Sequence, residues 1–185
     1  MSLSSYQANL RTAVRGFYNG TLTQGQFTDA MESSIRRGLT RAWIEGAKVC
    51  GVKQDELSED ETDALAEAIK SEFEYIGNFA AGIEESEKLA SLYSRLSMWV
   101  NRYTDIQNRA KLMACADKKL QWVIGPTERH CRDCSKYDTR VHRGSTWGDI
   151  RPQSPRLACH GYRCRCSLQV TDKGLTRGKP PGMTG

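Results

Sequence analysis

Leu120-Gln-Trp122-Val-Ile124-Gly125-Pro126-Thr-Glu-Arg129-His130-Cys131-Arg132-Asp-Cys134 is the stretch on which the reading of this 185-residue chain turns. Leu120 to Ile124 is short and rich in β-branched and aromatic residues. It runs into Gly125-Pro126, which reads as a strand followed by a turn. All five prolines (Pro126, Pro152, Pro155, Pro180 and Pro181) lie after residue 125, so ring geometry forbids no helix upstream. Cys131-x2-Cys134 then opens a run in which five of the seven cysteines fall.

Upstream, apolar residues step at helical spacing. Tyr6, Leu10, Val14 and Phe17 line one face, and Asn19-Gly20 ends that helix. Thr23-x-x-Gln26 is a capping box, in which each side chain satisfies a free N–H of the opening turn. Phe27, Met31, Ile35, Leu39 and Trp43 carry the second helix to about Cys50, with a stop at Gly51. Ser58-x-x-Glu61 forms another box, and Glu59-Asp60-Glu61 suits the positive end of a helix dipole. Leu65, Ile69, Phe73, Ile76 and Ala80 continue the stripe, with Gly77 and Gly82 as points where it kinks or ends. Leu89, Leu92, Leu96, Trp99, Val100 and Tyr103 mark a fourth helix that continues to about Lys118.

Downstream, Cys164-x-Cys166-x-Leu168-x-Val170 alternates at period two and reads as a second strand, with both cysteines on one face. Between the strands lie turns, among them Pro152-Gln-Ser-Pro155. From Gly174 there is little to bury. The expected fold is mainly α. A helical body of about four helices over residues 1–119 precedes a Cys-rich α+β module over 120–171, and residues 172–185 form a flexible tail.

Charge divides at the same place. Residues 1–115 carry 13 basic and 16 acidic side chains, whereas residues 116–185 carry 14 and 6, a net of +8 at that end. Such an end suits an acidic or polyanionic partner, or offsets a thiolate cluster. No apolar run approaches the roughly 18 residues that span a bilayer, and residues 1–6 show no secretory pattern. Cys50 and Cys115 stand alone in helical surroundings, and seven is an odd number. A reducing setting is therefore expected, with thiolates available to a metal.

Zn²⁺ takes four thiolate or imidazole ligands in a tetrahedron, and Cys-x2-Cys in a tight turn presents two sulfurs to one ion. The expected ligands are Cys131, Cys134, Cys159 and Cys164, with Cys166 and His160 as substitutes. Disulfides within the group are the competing reading. His130 and His142 are expected in exposed turns, and Trp122 and Trp147 in a small core. No nucleophile elbow, phosphate loop, His-Glu-x-x-His or deaminase signature is present, and the chain is expected not to be an enzyme.

Trp122 through Cys134, then Trp147, then Cys159 and Cys164-Arg165-Cys166-Ser-Leu168, resemble the C-terminal module of the phage Mu F-type minor head (head morphogenesis) proteins. Members show a Trp, a Cys-x2-Cys turn and a closing Cys-Arg-Cys-x-Leu strand. The His-Pro dipeptide that often precedes that strand is absent here, and Cys159-His160 stands in its place. The resemblance implies a non-enzymatic virion protein, made in the host cytoplasm and placed with the portal inside the head. Its partners would be portal or major capsid protein, in a multi-copy assembly. Arg129, Arg132, Arg140, Arg143, Arg151, Arg156, Arg163 and Arg165 are the candidate contacts to such a partner. Direct DNA binding through the same basic, zinc-stapled module is the alternative.

Overall fold

The computed structural model describes residues 1–85, 88–161 and 164–183. It is mainly helical with one small antiparallel sheet. The first helix, α1 (Leu3–Tyr18), starts where the Ser2 hydroxyl accepts from the Ser5 N–H at 3.2 Å. It gives way at Asn19 and Gly20, whose φ of 71° suits glycine. The Thr23/Gln26 box caps α2 (Gln24–Lys48) through bonds of 2.9 and 3.3 Å. Phe27, Met31, Ile35, Leu39 and Trp43, four residues apart, are all fully buried.

The Ser58/Glu61 box opens α3 (Glu59–Phe73). A single helix was expected to run on past residue 76, but the chain breaks at Glu74-Tyr75 and restarts as α4 (Ile76–Glu84). Likewise the expected fourth helix is two: α5 (Leu89–Arg95) and α6 (Ser97–Ala114), with Leu96 at the joint. No Gly or Pro marks either break. The apolar stripe continues across both, since Ile69 and Ile76 flank the first and Leu92, Leu96 and Trp99 span the second, all buried. Helical period alone therefore carries no trace of where these helices turn. The most extensive helix pair is α2 with α6. It is close because Gly46 lies against the Gln107 carbonyl and the Ala110 methyl.

Beyond Cys115 come β1 (Lys119–Val123), α7 (Arg132–Tyr137), β2 (Val141–Arg143), α8 (Gly144–Trp147) and β3 (Ser167–Val170). The sheet order is β2-β1-β3, both pairs antiparallel, with Leu120 opposite His142 on one side and Val170 on the other. The second strand starts at Ser167, so Cys164 and Cys166 lie just ahead of it rather than within it. Trp122, Tyr137 and Trp147 pack tilted or edge-on, with ring centroids 4.8–5.9 Å apart, in a cluster separate from the helical core. The Trp147 indole donates to the Leu120 carbonyl at 3.0 Å. His142 is not in an exposed turn: it is buried edge-on to Trp147, 4.9 Å between centroids.

Body and module are tied by polar contacts across their junction. Asp105 of α6, 2% exposed in its side chain, accepts from Arg151 at 2.6 and 3.2 Å and from Arg102 at 3.0 Å; Arg102 also donates to Glu72 at 2.6 Å. Lys111 donates to the Leu168 carbonyl at 2.9 Å. Cys50 and Cys115, expected to stand alone, are joined in a disulfide between the ends of α2 and α6. Sequence spacing concealed this pairing because 65 residues separate the two cysteines. The segment after residue 171, expected as a flexible tail, lies along β2 instead. Thr176 exchanges two bonds of 2.9 Å with Val141, and Tyr137 donates to the Pro181 carbonyl at 2.9 Å. It covers polar groups at an edge strand that would otherwise be bare. No helix among the described residues is long and apolar enough to cross a membrane.

Candidate metal centre

The site is built from two chain segments. In the first, Cys131 is the N-cap of α7, and its sulfur accepts from the Cys134 N–H at 3.4 Å. One helical turn thus places two sulfurs together and supplies a backbone donor to one of them. Asp133, fully buried, accepts from the Ala158 N–H at 2.8 Å and pairs with Lys136 at 3.2 Å. Through that bond the first segment holds the start of the second.

In the second segment, Gln153 is the organiser. Its amide nitrogen donates to the carbonyls of both Cys164 and Cys166 at 2.8 Å, and its amide oxygen accepts from Asn108 of α6 at 2.6 Å. Both cysteines are thereby fastened with their sulfurs toward α7. Cys134 Sγ stands 3.7 Å from Cys164 Sγ, and the sulfurs of Cys134, Cys164 and Cys166 all lie within 4.8 Å of one another. A tetrahedral zinc with bonds of about 2.3 Å requires ligand sulfurs about 3.8 Å apart. The trio therefore fits a metal ion of that kind, and the cysteine cluster can hold one.

The trio differs in emphasis from the set expected from spacing. Cys166, treated as a substitute, belongs to the tightest group. Cys131 touches Cys134, and Cys159 in turn meets Cys131. All five sulfurs line one cavity of about 220 Å³, with His130 at its edge. His160 is turned away: it adopts φ 49°, its Nδ1 meets the Pro155 carbonyl at 3.1 Å, and it lines a different, apolar cavity. It does not line the cavity that the cysteines share.

Proton affinity is uneven across the cluster. Hydrogen bonds from Cys134 and Cys164, helped by the Gly125 N–H and the Trp122 indole N–H, pull Cys166 down to about 3. The Trp122 Nε1 is buried with no oxygen or nitrogen acceptor, so the Cys166 sulfur is its outlet. Cys134 is held well above the usual thiol range by its bonds to Cys164 and Cys166. Cys159 is pushed up to about 12, first by burial and then by Cys131. A cluster with one ready thiolate and its neighbours' protons shared suits a cation that displaces those protons.

The arginines separate into groups. Arg151 is not a surface contact, because the buried Asp105 captures it and leaves its side chain 12% exposed. Arg156 pairs loosely with Asp149 at 3.5 Å, Arg140 donates to the Lys136 carbonyl, and Arg143 to the Asp117 carbonyl. Arg129, Arg132 and Arg165 are exposed and make no ion pair among the described residues; Arg129 and Arg165 border the thiol cavity. Arg163 lies outside the described residues.

Gln153 and Asp133 were not singled out by sequence reasoning. Gln153 sits in Pro152-Gln-Ser-Pro155, which reads as a turn, and nothing local reveals that its amide spans two elements. The fold and site define a helical protein with a cysteine-rich, metal-competent module. No family model, curated protein or solved structure matches this chain.

Proposed function

We propose that this chain is a structural protein of a phage head, a minor capsid component that sits with the portal during head assembly and DNA packaging. The observation that carries the reading is the meeting of sulfurs from the 131–134 turn and the 164–166 segment, 30 residues apart in sequence at Cys134 and Cys164. The same residues, with Trp122 and Trp147, carry the resemblance to the minor head proteins. In this reading zinc is held by Cys134, Cys164 and Cys166 with Cys131 or Cys159 completing four. It would supply cross-linking rather than chemistry, since a thiolate-closed site keeps no position for water. The helical body docks to portal or capsid subunits, and Arg129, Arg132 and Arg165 meet an acidic neighbour.

The test combines elemental analysis after purification under reducing conditions with a pull-down on the portal protein encoded nearby. About one zinc per chain and portal retention are expected. A metal-free protein that ignores the portal would end the reading. The three unpaired arginines also favour a second reading, direct contact with DNA phosphates. In that case affinity falls with salt at a logarithmic slope of about −2.7 for three contacts. A portal adaptor shows only weak DNA affinity.

A further inference from the structure

Two thiol populations share this chain. Cys50 and Cys115 are bonded, their Cα atoms 5.4 Å apart, while Cys131, Cys134, Cys159, Cys164 and Cys166 are free. The bonded pair clamps the ends of α2 and α6 at the point where the chain leaves the body for the module. Ser145 of α8 donates to the Ala116 carbonyl at 2.9 Å, and Gly144 packs on the Cys115 carbonyl. The bond is therefore a covalent latch at the end of the body, on the face where the module packs. Its selectivity is not explained by the thiols themselves. Cys134 and Cys164 lie only 3.7 Å apart beside a cavity that the partly exposed Cys131, Cys159 and Cys164 line, whereas Cys115 is fully buried. Exchange chemistry favours accessible sulfurs with a second sulfur in reach, so an oxidant acting on the bare cluster would attack it first.

We propose that the metal centre sorts the cysteines: ion binding withdraws the cluster from thiol exchange and leaves Cys50 and Cys115 as the pair that oxidises. The inference rests on the metal reading of the cluster, not on the phage assignment. It also accounts for an odd number of cysteines. Two form the latch, four hold the ion, and the fifth cluster thiol is left single with no free partner in the cavity. The step balances with a small disulfide as oxidant. The partly exposed Cys50 thiolate attacks one sulfur of oxidised glutathione and releases one glutathione thiolate. The buried Cys115 then displaces the second. The two protein thiol protons end on two glutathione thiols, and one disulfide is reduced as one forms.

The experiment uses the full chain, fully reduced, then either loaded with Zn²⁺ or stripped by a chelator. Both samples are treated with oxidised glutathione, alkylated and mapped by peptide mass. The zinc-loaded sample should contain the Cys50–Cys115 bond alone. The stripped sample should show bonds among residues 131–166, with the yield of Cys50–Cys115 reduced roughly threefold or more. Cys50→Ser should keep its zinc and form no disulfide when loaded. Identical bond maps with and without zinc, in a protein shown to bind zinc, would overturn the sorting alone. So would loss of zinc from Cys50→Ser. A chain that binds no zinc at all would bring down the metal reading and this inference together.

Discussion

At the scale of single residues, the module depends on side chains whose partners lie far along the chain. His142 is the clearest case with a pH signature. Burial, and then the positive charge of Arg140, lower its pKa from 6.5. The folded state thus binds fewer protons here than the unfolded chain, so stability rises with pH through this window and falls as pH drops below 6.5. His142→Phe removes the penalty while keeping a ring against Trp147. Urea melts of parent and variant should agree above that pH and diverge below it, with the variant the more stable. Curves that stay parallel down to pH 5 would refute the assignment. His142 also shows why burial was hard to read locally. The run His142-Arg-Gly144-Ser reads as a turn, and only pairing with β1 turns the imidazole inward.

At the scale of elements, glycines and caps decide how closely the helices fit. Gly46 has no room for a Cβ against the Gln107 carbonyl, whereas Gly25 in the same helix meets nothing within 4 Å. Gly46→Ala should therefore cost about 1–3 kcal/mol by overpacking the α2–α6 contact. Gly25→Ala should stabilise α2 by up to about 1 kcal/mol through backbone entropy. Thermal or denaturant midpoints check both, and equal shifts would refute the account. The caps at Thr23 and Ser58 were legible from sequence because a capping box acts within four residues. The breaks at Glu74-Tyr75 and Leu96 were not, because the apolar stripe that identifies a helix passes through them unchanged.

At the scale of the whole molecule, the junction between body and module is a small set of buried polar contacts beside the disulfide that closes the end of the body. Asp105 receives arginines from both sides: Arg102 from its own helix and Arg151 from the module. Asp105→Ala leaves Arg151 without its buried partner, while Arg102 keeps Glu72, and should cost about 3 kcal/mol. The loss should appear as freer motion of the module against the helices, read by faster amide exchange in residues 149–157. Exchange unchanged there would show that the remaining contacts, Asn108 with Gln153 and Lys111 with the Leu168 carbonyl, hold the junction without Asp105. The tail belongs to this scale too, since its bonds to Val141 and Tyr137 exist only once β2 is in place.

The chain's own pattern determined the helical body, its caps, the position of β1 and the set of cysteines from which a metal site is drawn. Each of these depends on residues within a turn or a strand of one another, and that range is visible as spacing. Tertiary structure alone decided which sulfurs meet, that Cys50 finds Cys115, that Arg151 turns inward and that Gln153 ties the cysteine loop to α6. Those choices join segments 30 to 65 residues apart. Contacts at that distance are selected by the packing of intervening elements and leave no periodic mark on the sequence.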